Sequence, residues 1–548
     1  MNNYERWLER AVDDADLQEE LRNMNEAEKE DAFYRELAFG TGGLRGVIGA
    51  GTNRMNIYTV GKASQGLSEA AEEGSIAISY DSRIKSRLFA ERAASVFAGN
   101  GRHVYMYREL MPTPCLSFAV RFLHCAAGVM VTASHNPSKY NGYKVYGSDG
   151  CQITDADATR ILEKIERTDV FDDVRTVDFE EGIRTGRIEY ISDEVCDAFI
   201  AEVKAQSLSQ DTDKNAAIIY TPLNGTGLKP VLRVLKEAGY ANVSVVKEQE
   251  KPDGRFPTCP YPNPEIREAM ELGLAYAQKQ NADLLIATDP DCDRVGIAVK
   301  AEDGSYRLLS GNETGVLLLD YICSRRMESG RMPEDPVFIK TIVTSGLAEK
   351  VAESYGVKTI NVLTGFKYIG EQIGELEKAG QAERYICGFE ESYGYLTGTY
   401  VRDKDAVDGT FMICEMFAYY RKRGISLLQK LAEIYGRYGY DLNTLHSWTF
   451  EGQSGFLHMQ EVMKRFREGV PAVAGIPVVR ALDYSKGIDG LPVSDVLKFV
   501  LENGSSLVIR PSGTEPKLKL YAMIRMPDEE SAAAFETQAV QELEGMLK

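Results

Sequence analysis

The sequence predicts an α/β fold of three tandem, similar α/β domains with mixed sheets, followed by a smaller α+β domain. The first observation is a strand at 75–80, a helix at 86–98 and a strand at 104–107. The second is that the same strand–helix–strand rhythm returns at 216–246 and again at 337–362. Alternation of this kind is typical of a mostly parallel or mixed sheet with helices packed on it.

The two ends of the chain differ from this rhythm. Residues 4–40 are rich in Glu, Lys and Leu, which predicts amphipathic helices. From about residue 446 strands and helices mix, and a helix is predicted over 528–547, which indicates a separate α+β domain. The expected domains are 1–205, 206–320, 321–445 and 446–548.

Length, net charge and cysteine content limit the number of domains, the kinds of partner and the cellular compartment that can be expected. The chain has 548 residues, enough for three or four domains at about 100–200 residues each. Its formal charge of −19, with no basic block, argues against nucleic acid and anionic membranes as partners. Nine scattered cysteines without a Cys-x-x-Cys pair, a polar N-terminus and no long apolar run predict a cytoplasmic protein with reduced thiols and no signal peptide.

A small polar cluster at Ser134, His135, Asn136 and Pro137 ends the apolar run 126–131. Because proline cannot continue a β-ladder, the chain must turn there. Open α/β sheets bind their ligands at strand ends, so Ser134 is a candidate nucleophile. A plain surface turn is the alternative, since Ser, Asn and Pro are ordinary turn residues. Neighbours on an extended chain point in opposite directions, which favours a structural or hydrogen-bonding role for His135 over a base.

Three carboxylates, those of Asp289, Asp291 and Asp293, follow the strand-like run 282–288. Carboxylates this close repel one another, so a cation would stabilise them, and hard oxygen ligands select Mg²⁺, Ca²⁺ or Mn²⁺. The loop is too short for a twelve-residue calcium loop and leaves positions for water or a phosphoryl oxygen, as Mg²⁺ prefers. A solvated acidic turn is the alternative, which Pro290 disfavours by stiffening the loop.

Two more loops suit recognition of a ligand. One lies between the apolar runs 506–509 and 518–521 and supplies Arg510, Ser512, Gly513 and Thr514. A guanidinium, hydroxyl groups and a tight turn favour phosphate, with a plain hairpin as the alternative. The other loop, within 388–395, joins carboxylates, a hydroxyl and aromatic rings, which suits a polyol, although a charged turn explains it equally well.

In this order and at these distances the four segments resemble those of the α-D-phosphohexomutases. The resemblance spans nearly the whole chain, and the form of 389–395 looks most like the bacterial phosphoglucomutase branch related to phosphopentomutases. The chain also carries similar segments at 39–46, 80–83, 221–227 and 364–367. The resemblance implies four domains around a central cleft.

The resemblance also implies a phosphoserine mechanism. Ser134 would carry a phosphoryl group, and Mg²⁺ would be bound by Ser134 and the three aspartates. Lys144 would be the general base, with its pKa lowered by the neighbouring Mg²⁺, although a surface lysine on a strand is the alternative. Arg45 would stabilise the transferring group. The expected substrate-binding residues are Glu390, Ser392, Lys367, Arg510, Ser512, Gly513, Thr514, Arg294 and His135.

The activity implied is phosphoglucomutase, with glucose 1,6-bisphosphate as activator and intermediate. A small hexose phosphate is the expected partner, and the chain is expected to be a monomer or a dimer. Phosphomannomutase, phosphoglucosamine mutase and phosphopentomutase remain alternatives, as do a phosphatase and a sugar-phosphate sensor. Two departures bear on substrate choice. Tyr393 and Tyr395 stand near where some relatives carry His, and Asn224 stands where others carry His.

Overall fold

The structure is a computed structural model that describes residues 2–40, 42–450, 452–488, 490–512 and 517–547. Its helices are α1 Asn3–Arg10, α2 Ala15–Asn23, α3 Glu26–Phe33, α4 Ile57–Ala70, α5 Ser86–Gly99, α6 Thr113–Phe122, α7 Asp155–Arg167, α8 Phe179–Arg184, α9 Asp193–Ala205, α10 Leu228–Glu237, α11 Lys247–Glu250, α12 Arg267–Gln280, α13 Gly311–Glu328, α14 Gly346–Ser354, α15 Phe366–Lys378, α16 Ala406–Lys422, α17 Leu427–Tyr438, α18 Gly452–Glu468 and α19 Glu529–Met546.

The strands form four sheets. They are β1 Phe39–Gly40, β2 Gly43–Val47, β3 Ile76–Tyr80, β4 Val104–Met106, β5 Ala127–Val131, β6 Tyr140–Gly147, β7 Ile188–Tyr190, β8 Ile218–Thr221, β9 Val243–Val245, β10 Leu284–Thr288, β11 Val295–Lys300, β12 Tyr306–Leu309, β13 Val337–Thr341, β14 Lys358–Val362, β15 Tyr385–Glu390, β16 Gly394–Leu396, β17 Tyr440–Thr449, β18 Ala472–Val473, β19 Ile476–Asp483, β20 Leu497–Leu501, β21 Ser506–Pro511 and β22 Lys517–Met526.

The first three sheets share one four-strand unit. It reads β4-β3-β5-β6 in the first sheet, β9-β8-β10-β11 in the second and β14-β13-β15-β16 in the third. In each unit the first three strands are parallel and the last is antiparallel to its neighbour. The predicted three similar α/β domains with mixed sheets are therefore confirmed.

The central strands of these units explain why the sequence folds this way. Every residue of β3, β5 and β10 is buried, as expected for parallel strands covered on both faces. Helix α5 ends at Gly99, where the sequence predicted its end. The predicted boundary at 320 lies inside the continuous helix α13, and the positions of the domain boundaries stay a prediction.

The fourth sheet, β17-β22-β21-β20-β19-β18, is antiparallel throughout. It has its own apolar core with α18 and α19, which confirms the predicted α+β C-terminal domain. A smaller apolar cluster joins this domain to the third one, with Ile342 and Val343 packed in the same cluster as Tyr521 and Met523. Among the described residues, no helix combines the length and the apolar character needed to cross a bilayer.

Candidate active site

Each α/β unit carries a short loop between its third and fourth strands. We call residues 132–139 the serine loop, 289–294 the aspartate loop and 390–393 the glutamate loop. Each contains a non-glycine residue with left-handed backbone: φ is 51° at Ser134 and 52° at Cys292, and it is 66° at Tyr393. Such conformations are uncommon and cluster at functional sites. The loop between the third and fourth strands thus has the same unusual backbone feature in all three units.

Direct hydrogen bonds bring the three loops together. The Ser134 hydroxyl donates to Asp289 Oδ2 at 2.9 Å, which joins the serine loop to the aspartate loop. The amide of Val295, the first residue of β11 and the residue that directly follows the aspartate loop, donates to the Tyr393 carbonyl of the glutamate loop at 3.0 Å. The candidate nucleophile therefore lies against the candidate metal group.

The aspartate loop is a buried carboxylate cluster. Ligand oxygens of Asp289, Asp291 and Asp293 lie within 4.8 Å of one another. The amides of Asp293 and Arg294 fix the Asp289 carboxylate, each donating to its Oδ1 at 3.0 Å. Burial and the two neighbouring carboxylates raise the pKa of Asp289 well above its usual range.

Two carboxylate oxygens of the same cluster accept no hydrogen bond from the residues that the structure describes. Among the described residues, Oδ1 of Asp291 and Oδ1 of Asp293 are buried and accept no hydrogen bond. Buried oxygens without a partner are unfavourable, and carboxylates are the ligands that hard divalent cations prefer. The cluster therefore fits a divalent metal ion.

Lys144 reaches this cluster from β6. Its ammonium lies 2.9 Å from Asp291 Oδ2 and 3.5 Å from Asp293 Oδ2. Burial favours the neutral amine, but the two carboxylates outweigh it and raise the pKa of Lys144. The lowering expected beside Mg²⁺ stays a prediction, because this rise comes from the pairing with two carboxylates, which the sequence could not show.

His135 lies closer to Ser134 than the sequence argument predicted. Its Nδ1 is 3.1 Å from the Ser134 hydroxyl, because the left-handed φ of Ser134 abolishes the extended geometry that the argument assumed. The hydrogen-bonding role remains a prediction compatible with this contact. Burial, assisted by Arg294 and Arg45, lowers the pKa of His135 well below its usual range and favours the neutral ring. Arg45 also donates to Asn136 Oδ1 at 3.4 Å.

Glu390 lies at the end of β15 and is buried. Its Oε1 accepts from the Gly365 amide at 2.9 Å. Burial raises the pKa of Glu390 to about 7 against the opposing charge of Lys404. Nearby, Lys367 lies 2.9 Å from Asp155, and Ser392 is half-buried in the glutamate loop.

Arg510 and Ser512 stand at the end of β21, and the Ser512 amide donates to the Lys517 carbonyl at 2.8 Å. Burial raises the pKa of Tyr368 to about 12, and the Arg510 charge opposes that rise. Tyr368 lies in α15 of the third domain. Arg510 of the C-terminal domain is therefore close enough to the third domain for its charge to act there. The predicted residues Gly513 and Thr514 lie outside the described residues.

Family models of phosphoglucomutase/phosphomannomutase match four consecutive segments of the chain. Their α/β/α domains I, II and III match residues 36–171, 197–304 and 310–438, and their C-terminal domain matches 460–541. The chain belongs to the phosphoglucomutase/phosphomannomutase family.

Individual members of the family cover nearly the whole chain. A phosphoglucomutase of Staphylococcus saprophyticus is 37% identical over 94% of this chain and 95% of its own. A phosphoglucomutase of Staphylococcus aureus strain N315 is 35% identical over 96% and 97%. The open form of parafusin, a phosphoglucomutase from Paramecium, shares the fold with a TM-score of 0.69 at 17% identity, covering 94% and 95%.

Three residues to which the sequence analysis gave no role contact the aspartate loop or the serine loop of this protein. Lys404 lies 3.2 Å from Asp293 Oδ2, and Thr113 donates to Asp291 Oδ2 at 3.0 Å. Arg83 donates to main-chain carbonyls of the serine loop. The available signals were the charged run around Lys404 and the position of Arg83 in the segment 80–83.

Proposed function

We propose that the protein is a phosphoglucomutase that interconverts glucose 1-phosphate and glucose 6-phosphate through phosphorylated Ser134 and a glucose 1,6-bisphosphate intermediate. The hydrogen bond between Ser134 and Asp289 carries this proposal, because it places a hydroxyl nucleophile on a buried carboxylate cluster. Similarity over nearly the whole chain to relatives named phosphoglucomutase supports the choice of sugar.

The proposed cation is Mg²⁺, held by Asp289, Asp291, Asp293 and the phosphoryl oxygen on Ser134. The unpartnered buried oxygens of Asp291 and Asp293 support this assignment. When bound, the ion would neutralise charge on the phosphoryl group, the main requirement of phosphoryl transfer.

In the first half-reaction the 6-hydroxyl of glucose 1-phosphate attacks the phosphorus on Ser134. The new O6–P bond forms, the bond between phosphorus and Ser134 Oγ breaks, and the departing Ser134 Oγ takes up a proton. Lys144 is the proposed acceptor of the hydroxyl proton, a role for which its amine must lose the proton that Asp291 and Asp293 stabilise. Arg45 and Arg294 would stabilise charge on the transferring group.

In the second half-reaction the bisphosphate has turned over in the cleft. Ser134 Oγ attacks the phosphorus at C1, the O1–P bond breaks, O1 gains a proton and Ser134 loses its own. The product is glucose 6-phosphate, and the phosphoserine is restored. The residues proposed to hold the sugar and the non-reacting phosphate are Glu390, Ser392, Lys367, His135, Arg510, Ser512, Gly513 and Thr514.

A coupled assay tests this proposal. Glucose 1-phosphate, Mg²⁺ and a trace of glucose 1,6-bisphosphate are supplied, and glucose 6-phosphate and free phosphate are recorded together. Formation of glucose 6-phosphate without free phosphate supports the mutase. Free phosphate alone would contradict it and indicate a phosphatase.

Competition in the same assay ranks the sugars. Mannose, glucosamine and ribose phosphates are added in turn, and kcat/KM is compared for each. A higher kcat/KM for one of these than for glucose 1-phosphate would replace glucose as the substrate while keeping the phosphoserine chemistry. Loss of conversion in Ser134→Ala, with Mn²⁺ binding retained, ties the product to the serine.

A further inference from the structure

A second set of loops flanks the three functional loops. These follow the strand of each unit that comes first along the chain: residues 81–83 after β3, 222–227 after β8 and 342–345 after β13. In each unit the first strand is the parallel neighbour of the third, so their carboxyl ends meet at the same edge of the sheet. Each flanking loop therefore lies beside a functional loop.

In the first unit the flanking loop supplies Arg83, whose side chain is fully buried. One of its terminal nitrogens, Nη2, donates to the carbonyls of Ser134 and Asn136. The other, Nη1, donates to the carbonyls of Pro137 and Tyr140 at 3.0 and 3.1 Å. A single guanidinium thus holds four carbonyls in and beside the serine loop, which a lysine with its point charge cannot reproduce.

The amide of Ser134 is held from the same loop through an intermediary. It donates to Thr132 Oγ1 at 2.8 Å. The Thr132 hydroxyl in turn donates to Asp81 Oδ2 at 2.6 Å, and Asp81 lies 3.4 Å from Arg83 Nε. Both main-chain groups of the candidate nucleophile are therefore fixed by residues 81–83, which stabilises the uncommon φ of Ser134.

In the second unit the contact is made by the main chain. The Thr226 amide donates to the Pro290 carbonyl at 2.8 Å. Gly225 lies so close that an added Cβ would be 2.4 Å from Pro290 Cα and 2.6 Å from its carbonyl oxygen. Only glycine allows this approach, because real Cβ atoms do not come within 3.0 Å of other heavy atoms.

The third unit repeats the arrangement with hydroxyl groups. Thr341 at the end of β13 donates to Glu391 Oε2 at 3.3 Å, and Thr344 donates to the same oxygen at 3.1 Å. Both threonines are fully buried. The same edge of all three sheets thus carries a flanking loop bonded to a functional loop.

We propose that Arg83 and Gly225 are positioning residues, which hold the serine loop and the aspartate loop in their working geometry. This inference rests on the proposed function for the serine loop. For the aspartate loop it requires only that the carboxylate cluster binds a divalent cation. Groups around a metal typically change its affinity about 10–100-fold, and small displacements of a reacting group cost about 100-fold in rate.

The aspartate loop is tested with Gly225→Ala and Mn²⁺ as the only added metal, bound manganese being followed by electron paramagnetic resonance. Gly99→Ala is the matched control, since an added Cβ there meets the main chain of Arg175 and Thr176 at 2.7–2.8 Å. We expect Mn²⁺ to bind Gly225→Ala about tenfold more weakly and Gly99→Ala as tightly as the unaltered protein. Equal Mn²⁺ affinity in both variants would overturn the proposal for Gly225.

The serine loop is tested with Arg83→Lys. Its control is Arg102→Lys, because Arg102 also donates to three main-chain carbonyls, those of Ser68, Ala71 and Glu72. We expect Arg83→Lys to lower kcat by about 100-fold with KM and Mn²⁺ affinity nearly unchanged. An unchanged kcat, or the same loss in Arg102→Lys, would overturn the proposal for Arg83.

The two arms separate this inference from the proposed function. If the unaltered protein converts no hexose phosphate, the proposed function fails, and with it the claim for Arg83. The Mn²⁺ comparison of Gly225→Ala with Gly99→Ala still decides the claim for the aspartate loop. The same comparison keeps the claim for the aspartate loop testable if Arg83→Lys does not fold.

Discussion

The loops of the three α/β domains and the strand end that carries Arg510 in the C-terminal domain are built differently. The former are bonded to one another, through Ser134 to Asp289 and through Val295 to Tyr393. The latter belongs to an antiparallel sheet that packs on the third domain through a small apolar cluster. Under the proposed function this difference corresponds to a division of labour, in which the bonded loops fix the reacting atoms and the segment that carries Arg510 binds the phosphate that does not react.

This division has a kinetic meaning. Groups held rigidly at the reacting atoms stabilise the transition state, so their loss lowers kcat. Groups that bind a distant phosphate equally before and during the reaction mainly change KM. The comparison therefore predicts different kinetic effects for variants in the two regions.

The largest effect is expected from Ser134→Ala. Removing the proposed nucleophile leaves no group to carry the phosphoryl, so turnover should fall by about a thousandfold or more. Steady-state conversion of glucose 1-phosphate measures this loss, and Mn²⁺ binding to the variant shows that the aspartate loop is intact. Turnover near that of the unaltered protein would contradict the proposed division, because the hydrogen-bonded loops would then not hold the nucleophile.

A smaller effect is expected from Arg510→Gln. Loss of a charge-assisted contact to phosphate should raise KM for the hexose phosphate by about tenfold or more, with a lesser change in kcat. Arg480→Gln is the control, because it removes the same charge from an exposed position of the same domain. A fall in kcat with unchanged KM would place Arg510 with the reacting groups and contradict the division.

The smallest expected effect is a pH dependence from Glu390. Burial raises its pKa to about 7, so the carboxylate that is proposed to accept hydrogen bonds from the sugar hydroxyls is lost as the pH falls through that value. KM should therefore rise by up to about tenfold between about pH 8 and about pH 6. The profile is measured with the unaltered protein and with Glu390→Gln, which removes this component. An identical profile in both would exclude Glu390 as its source.

The sequence predicted most of the fold because the signals are local. The apolar runs before the serine and aspartate loops became β5 and β10, buried at every position. The chemistry of the carboxylate cluster was also readable, since its three aspartates lie within five residues.

What could not be predicted depends on contacts between distant segments. Thr113 reaches Asp291 across 178 residues of chain, and Lys144 pairs with the same carboxylate, which raises the pKa of this amine. The Ser134 hydroxyl lies 3.1 Å from His135 Nδ1 because Ser134 has a left-handed φ, and no local sequence pattern predicts that φ. Lys404 was missed for the same reason, since its partner Asp293 belongs to another domain's loop.

The order of the three loops along the chain bears on how the protein is made. Synthesis proceeds from the N-terminus, and domains generally fold as units in that order. The serine loop is therefore complete when the Asp289 carboxylate, 155 residues further on, has not yet been added. A nascent chain therefore carries the hydroxyl without the group that would hold a cation. Under the proposed function, the growing polypeptide would be protected from premature phosphoryl transfer until its later domains emerge.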